Sequence, residues 1–155
     1  MMRLNKATRY ALYAAMELAG ADGEGQVTSG GVAGRYGIPA AVQAKVFQQL
    51  VRGGIAVGIR GSKGGYRLAD RPSRVTVLDV IETMEPRRDP GGCLLHDAEE
   101  ADCPRNRACR LRDLFDEVDE LARCTFASIT LETLVRRGRW SERTEGTVPC
   151  GDSPR

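Results

Sequence analysis

Histidine is almost absent from this chain of 155 residues: His96 is the only one. No nucleophile and base stand at recognisable spacing either, so the sequence offers little to an enzyme. Gly61, Gly64 and Gly65 do not make a phosphate cradle, because a strand, Tyr66-Arg67-Leu68, follows and no helix N-terminus is there to receive an anion. No apolar stretch approaches the roughly 18 residues of a membrane span. The opening Met1-Met2-Arg3-Leu4 has no apolar run of signal-peptide type. Internal repeats are lacking too. These absences predict a soluble, cytoplasmic protein without a membrane partner and without catalytic activity. A chain this long can bury one core, with an appended helical arm, but hardly two.

What is present is concentrated in two features. The first is charge asymmetry behind a net charge of +2. Residues 1–74 hold 11 Lys and Arg against 4 Asp and Glu, a net of +7; residues 75–155 hold 12 against 17, a net of −5. A basic front half is the footprint of a phosphate-backbone binder, and an acidic rear half suits a module that stays off the duplex. Charge alone would fit solvated helix faces equally well. The second feature is an odd number of cysteines, Cys93, Cys103, Cys109, Cys124 and Cys150. In a reducing compartment they read as metal ligands or sensing thiols rather than a disulfide framework.

Helical spacing begins at once. Asn5 is placed to cap a first helix with Tyr10, Ala11, Ala14, Ala15 and Leu18 on one face, ended by Gly20 to Gly25. Thr28 can cap a short second helix through Tyr36, which Gly30 and Gly31 weaken by roughly 1 kcal/mol each relative to alanine. Gly37 supplies the turn. Pro39 is tolerated in the first turn of a third helix, whose inward stripe is expected to be Val42, Val46, Phe47 and Leu50, until Gly53-Gly54. That is helix-turn-helix spacing. Ile55 to Ile59 and Tyr66 to Leu68 then alternate as short strands around a basic, glycine-rich tip, Arg60 to Gly65, which makes a wing.

Val75 to Met84 reads as a fourth helix. From Pro86 to Ala108 there is no period, only Pro, Gly and charge, so a long loop is expected. Beyond it Leu111, Leu114, Phe115, Val118, Leu121 and Ala122 form one stripe opposite Asp116, Glu117, Asp119 and Glu120. A helix this long with a single stripe needs a partner. Ile129, Leu131, Leu134 and Val135 suggest a last short helix that packs back on the body, and the polar end after Arg139 is expected to be disordered. The fold class is therefore mainly α with a small β-wing: a winged helix-turn-helix domain (2–85), a cysteine-bearing loop (86–109), a dimerisation helix with a C-terminal helix (110–138) and a tail (139–155).

Several motifs together resemble the IscR/NsrR family of winged-helix transcription regulators. They are Met2-Arg3-Leu4, Arg9-Tyr10-Ala11-Leu12, the wing from Arg60 to Leu68, the stretch Val77 to Ile81, the cysteine triad, and Ser128-Ile129-Thr130-Leu131 before Leu134-Val135. The resemblance covers about residues 2–137, and its specific parts are the wing and the triad. It implies a homodimer joined by the long helix, binding to a double-stranded DNA operator, and an iron-sulfur cluster that sets operator affinity. The triad departs from the family spacing: nine residues separate Cys93 from Cys103, and five separate Cys103 from Cys109. The fourth ligands known in the family are also missing, since Arg112 and Arg9 stand at the matching positions.

Thiolates are the usual ligands of iron-sulfur clusters, and a loop can bring Cys93, Cys103 and Cys109 round one cluster of two or four irons. Three thiolates leave a position open, which suits a sensor of nitric oxide, oxygen or redox state. His96 lies in the longer gap and is a candidate fourth donor; the same four side chains would equally make a tetrahedral zinc site. Simple solvent exposure beside Asp97, Glu99 and Glu100 is the competing reading for His96. Cys124 is expected to pack as a small residue, and Cys150 to be a free thiol.

DNA recognition is expected to run through the third helix in the major groove and the wing on the adjacent backbone or minor groove. Pro39, Ala40, Ala41, Ala44, Lys45 and Gln48 lie on the exposed face by position, and of these only Lys45 and Gln48 can hydrogen-bond a base edge. Ala41 and Ala44 would meet thymine methyls, while Arg60, Ser62 and Lys63 serve the wing. Gln43, Gln49 and Arg52 are read as solvated or as backbone contacts. Two functional classes remain: a dimeric cluster-dependent regulator, most simply a repressor, and a winged-helix regulator whose cysteines hold zinc or switch as thiols.

Overall fold

A computed structural model describes residues 4–21, 26–61, 64–85 and 110–138. The first helix, α1 (Lys6–Gly20), starts where Asn5 Oδ1 accepts the Thr8 amide at 2.8 Å. Its buried face is Thr8, Ala11, Ala14, Ala15 and Leu18. Alanines there keep α1 slim, and α2, α3, α4, α6 and the second strand all pack against it.

Thr28 Oγ1 caps α2 (Ser29–Tyr36) by accepting the Gly31 amide at 3.0 Å. Gly37 closes α2 in the left-handed region, φ 61°, a conformation that glycine adopts without steric cost. The chain then enters α3 (Ala40–Arg52), packed on α2. Pro39 is the N-cap rather than a first-turn residue, and offers no side-chain acceptor. Val46, Phe47 and Leu50 are buried as expected, but the stripe is headed by Gln43, fully buried, and not by Val42, which is 39% exposed. Positions 43, 46, 47 and 50 share one helical face, and 42 lies one residue round from it. The expectation of a solvated Gln43 is thereby overturned.

β1 (Ala56–Ile59) and β2 (Gly65–Leu68) pair antiparallel, from Ala56 opposite Leu68 to Ile59 opposite Gly65. Val27 adds a bridge to Tyr66 through two backbone hydrogen bonds of 3.0 and 2.8 Å. Gly65 permits it, since a Cβ there would stand 3.0 Å from the Val27 carbonyl oxygen. The Phe47 and Tyr66 rings, 4.5 Å apart, join the hairpin to α3.

α4 (Val77–Met84) begins two residues later than periodicity alone suggests, at a capping box made by Thr76 and Asp79. Val75 instead accepts the Leu131 amide, and Thr76 bridges Thr130, so the entry to α4 is stitched to the turn between the last two helices. Those are α5 (Arg110–Ser128) and α6 (Leu131–Gly138). Leu131 is fully buried and α6 packs on α1, while α5 leans on α4 alone among the main contacts. The result is a mainly helical winged helix-turn-helix body with one long helix set against its side.

Candidate nucleic-acid interface and cysteine segment

Two residues of α3 that can hydrogen-bond a base edge, Lys45 and Gln48, are exposed. Ala40, Ala41, Gln49 and Arg52 are also exposed, and Ala44 is half-buried. The exposed face exists because Val46, Phe47 and Leu50 anchor the other side, so the helix cannot roll without uncovering apolar surface. Arg60 is exposed directly after β1, at the base of the hairpin tip; Ser62 and Lys63 lie outside the described residues. Arg67 is a further exposed cation of the hairpin that residue-type reasoning left out of the interface. Strand alternation between half-buried Tyr66 and buried Leu68 was the signal that places it outward.

α2 is held to α1 by a polar cluster at the surface. Arg35 is ion-paired to Glu17, the Tyr36 hydroxyl donates to Glu17 Oε1 at 2.7 Å, and Tyr13 stacks on Tyr36 with ring centroids 4.5 Å apart. Burial works against the Glu17 carboxylate, but the hydrogen bonds from Arg35 and Tyr36 outweigh it and hold its pKa below the ordinary value. Burial, and then its bond to Glu17, push the Tyr36 phenol up to about 12. The cluster ties the end of α2 to α1 at the protein surface.

Cys93, His96, Cys103 and Cys109 all lie outside the described residues, as does Cys150. Among the described residues no group of three or more His, Cys, Asp or Glu is arranged to hold a metal. Cys124 is exposed, its Sγ 4.0 Å from Glu120 Oε1, and does not pack as expected. Ala122, Arg123 and Phe126 occupy the half-buried side of α5, and Cys124 falls off it. Arg9 is exposed on α1.

The apolar stripe of α5 stands uncovered. Leu111, Leu114, Phe115, Val118 and Leu121 are 51–63% exposed. No helix among the described residues is long and apolar enough to cross a membrane.

Comparison with known proteins agrees with this architecture. A family model described as Rrf2, iron-dependent transcriptional regulator, matches residues 4–137. The Rhodopseudomonas palustris protein BadM, assigned to the HTH-type transcriptional regulators, is 37% identical over 99% of this chain and 94% of its own length. The HTH-type transcriptional regulator IscR of Xenorhabdus nematophila is 29% identical over 87% of this chain and 80% of its own. Among solved structures, CymR, the global cysteine regulator of Bacillus subtilis, superposes with a TM-score of 0.64 at 30% identity, covering 88% of this chain and 98% of CymR. These relatives are transcription regulators and not enzymes, in keeping with the poverty of catalytic groups. A helix-turn-helix with a basic hairpin, a long lateral helix and a match across residues 4–137 place the chain in the Rrf2 family of DNA-binding transcription regulators.

Proposed function

We propose that this protein is a homodimeric repressor whose affinity for a double-stranded DNA operator is set by an iron-sulfur cluster on Cys93, Cys103 and Cys109. The observation that carries the dimer is the bare stripe of α5. Five large apolar side chains on one face each gain on the order of 1 kcal/mol on burial, and a second copy of the same helix is a complementary cover. Two such helices crossing would set two α3 helices on one duplex, the arrangement that palindromic half-sites require.

On the duplex, α3 enters the major groove with Lys45 and Gln48 at base edges and Ala41 and Ala44 close to thymine methyls. Arg60, Ser62 and Lys63 meet phosphate or the minor groove at the wing. The basic half of the chain draws the protein to DNA, and the acidic half faces away from it. The division into a DNA-binding domain (2–85), a cluster loop (86–109), a dimerisation unit (110–138) and a tail (139–155) belongs to the same reading, as does a cytoplasmic location.

The donor set fits the cluster by its chemistry. Three soft thiolates fall within one interval between α4 and α5, and relatives carrying the name IscR support iron. When bound, a cluster supplies a centre sensitive to oxygen, nitric oxide and redox state. The chain's own contribution is to hold it at three thiolates and to leave the fourth position to an exchangeable donor, with His96 the candidate. A specific observation favours a second reading. Three thiolates and one imidazole, all present in one stretch of the sequence, also make a tetrahedral zinc site. Anaerobic purification separates the two. A coloured sample containing iron and sulfide supports the cluster; a colourless one containing zinc, or no metal, transfers the cysteines to a zinc site or thiol switch.

A further inference from the structure

The last turn of α4 is tied to three other elements by three side chains within four residues. Glu82 is ion-paired with Arg123 of α5. Thr83 is pressed against the end of α3: a Cβ at Gly53 would stand 2.4 Å from Thr83 Cγ2 and 2.7 Å from its Oγ1. Only glycine allows that approach. Thr83 cannot easily swing aside, because its hydroxyl donates to the Asp79 carbonyl at 2.9 Å. Glu85 accepts at Oε1 from the fully buried Thr8 hydroxyl and from the Asn5 amide at 3.0 Å, so it holds the cap of α1.

At roughly 100° per residue, positions 82, 83 and 85 point in three directions from the helix axis. A rotation or shift of this turn therefore disturbs α5, α3 and α1 together. Packed contacts of this kind transmit small displacements rather than absorbing them. In sequence the next residue is Pro86, which opens the cysteine-bearing stretch and disfavours helical backbone at Glu85, whose φ of −129° and ψ of 79° have left the helix.

We propose that Glu82, Thr83 and Glu85 are positioning residues: they convey the state of the segment that starts at Pro86 to α3 and α5, and so set operator affinity without touching DNA or metal. This rests on the proposed role of the cysteines. If the three contacts were merely local, loss of one would loosen its own partner and leave the other two elements alone.

The test uses the full chain and a duplex selected from a randomised pool by the wild-type protein. Cys103→Ala is expected to change affinity for that duplex by about fivefold or more, the usual size of such coupling. In the Glu85→Ala background, which removes the acceptor for Asn5 and Thr8, the same change is expected to shrink below about twofold. Equal effects in both backgrounds overturn the proposal. Should Cys103→Ala have no effect in the wild type, the role given to the cysteines falls, and amide hydrogen exchange decides on the junction separately. Glu85→Ala must then speed exchange at Asn5 and Thr8 and also at Gly53 and Ile55, whose amides are bonded within the last turn of α3 at 2.8 and 2.9 Å. Faster exchange confined to α1 overturns the proposal. If Glu85→Ala does not fold, Glu82→Gln removes only the ion pair to α5, and the criterion is the same: exchange must rise in the end of α3 as well as in α5.

Discussion

α3 and α5 are both amphipathic helices, of 13 and 19 residues, and the chain treats them in opposite ways. The stripe of α3 is closed over by α1, α2 and the hairpin until Phe47 and Leu50 have no exposed surface. The stripe of α5, with an aromatic residue and four aliphatic ones, keeps half or more of each side chain in water. One helix is finished within the chain; the other presents its apolar face uncovered, the face assigned above to the proposed dimer. A patch of this size, rimmed by Asp116, Glu117, Asp119 and Glu120, is the mark of an interaction surface rather than of a scattered apolar residue. The body thus closes on its own contacts, and the proposed assembly would use a second surface.

A matched pair of substitutions gives the sharpest contrast. Phe47→Ala should lower the stability of the fold by about 3–5 kcal/mol, since it removes a fully buried ring that also anchors Tyr66. A thermal melt reads this at any protein concentration. Phe115→Ala should leave the protomer folded and shift the monomer-dimer equilibrium instead, visible by analytical ultracentrifugation as dissociation on dilution. If Phe115→Ala leaves association unchanged, α5 is not the dimer surface.

A smaller effect of opposite sign is expected at the head of the finished stripe. Gln43 is fully buried, and neither its amide nitrogen nor its carbonyl oxygen has a hydrogen-bond partner among the described residues. Replacing it by leucine removes two unsatisfied groups and should raise stability by about 1–2 kcal/mol. A lower melting temperature for Gln43→Leu would show that the amide is satisfied, for instance by a buried water.

Arg60→Ala tests the other side of the body, where no apolar surface is at stake. Its fold should be untouched and its DNA affinity reduced, with a salt dependence shallower by about one unit of log-log slope if Arg60 meets phosphate. Unchanged affinity would take the wing out of the interface.

The smallest effect concerns pH. The Glu17 carboxylate is held below the ordinary 4.5, so its contribution to stability is present above that value and is lost as the pH falls through its depressed pKa. With the side chain about 20% exposed the effect is partly screened. Glu17→Gln should melt below the wild type at neutral pH, and the two curves should converge in strong acid.

Local structure is legible in the sequence. Asn5 and Thr28 as caps, Gly37 as the left-handed stop, the alternating hairpin and the stripe of α5 all depend on residues a few positions apart. What escaped depended on partners far along the chain. Gln43 is buried because α1 and α2 close over it, whatever its polarity. Val27 joins the hairpin, and Thr76 pairs with Thr130, through backbone bonds that carry no residue-type signature. Residue type alone points Cys124 to packing, but the half-buried side of α5 is the one that carries Ala122, Arg123 and Phe126. For the interface, exposure supports Lys45, Gln48 and Arg60 as available cations and donors. For the cysteines the sequence supplies the donor chemistry alone, because every member of the triad is outside the described residues.

Measuring operator affinity and metal content on one anaerobic preparation goes most directly to the central claim. The selected duplex would be titrated with the protein as isolated and again after iron chelation, with iron and sulfide assayed in both samples. Iron and sulfide are expected in the first sample, with an affinity that changes about tenfold or more when they are removed. An iron-free, colourless dimer, or an affinity indifferent to loss of the iron, would contradict it.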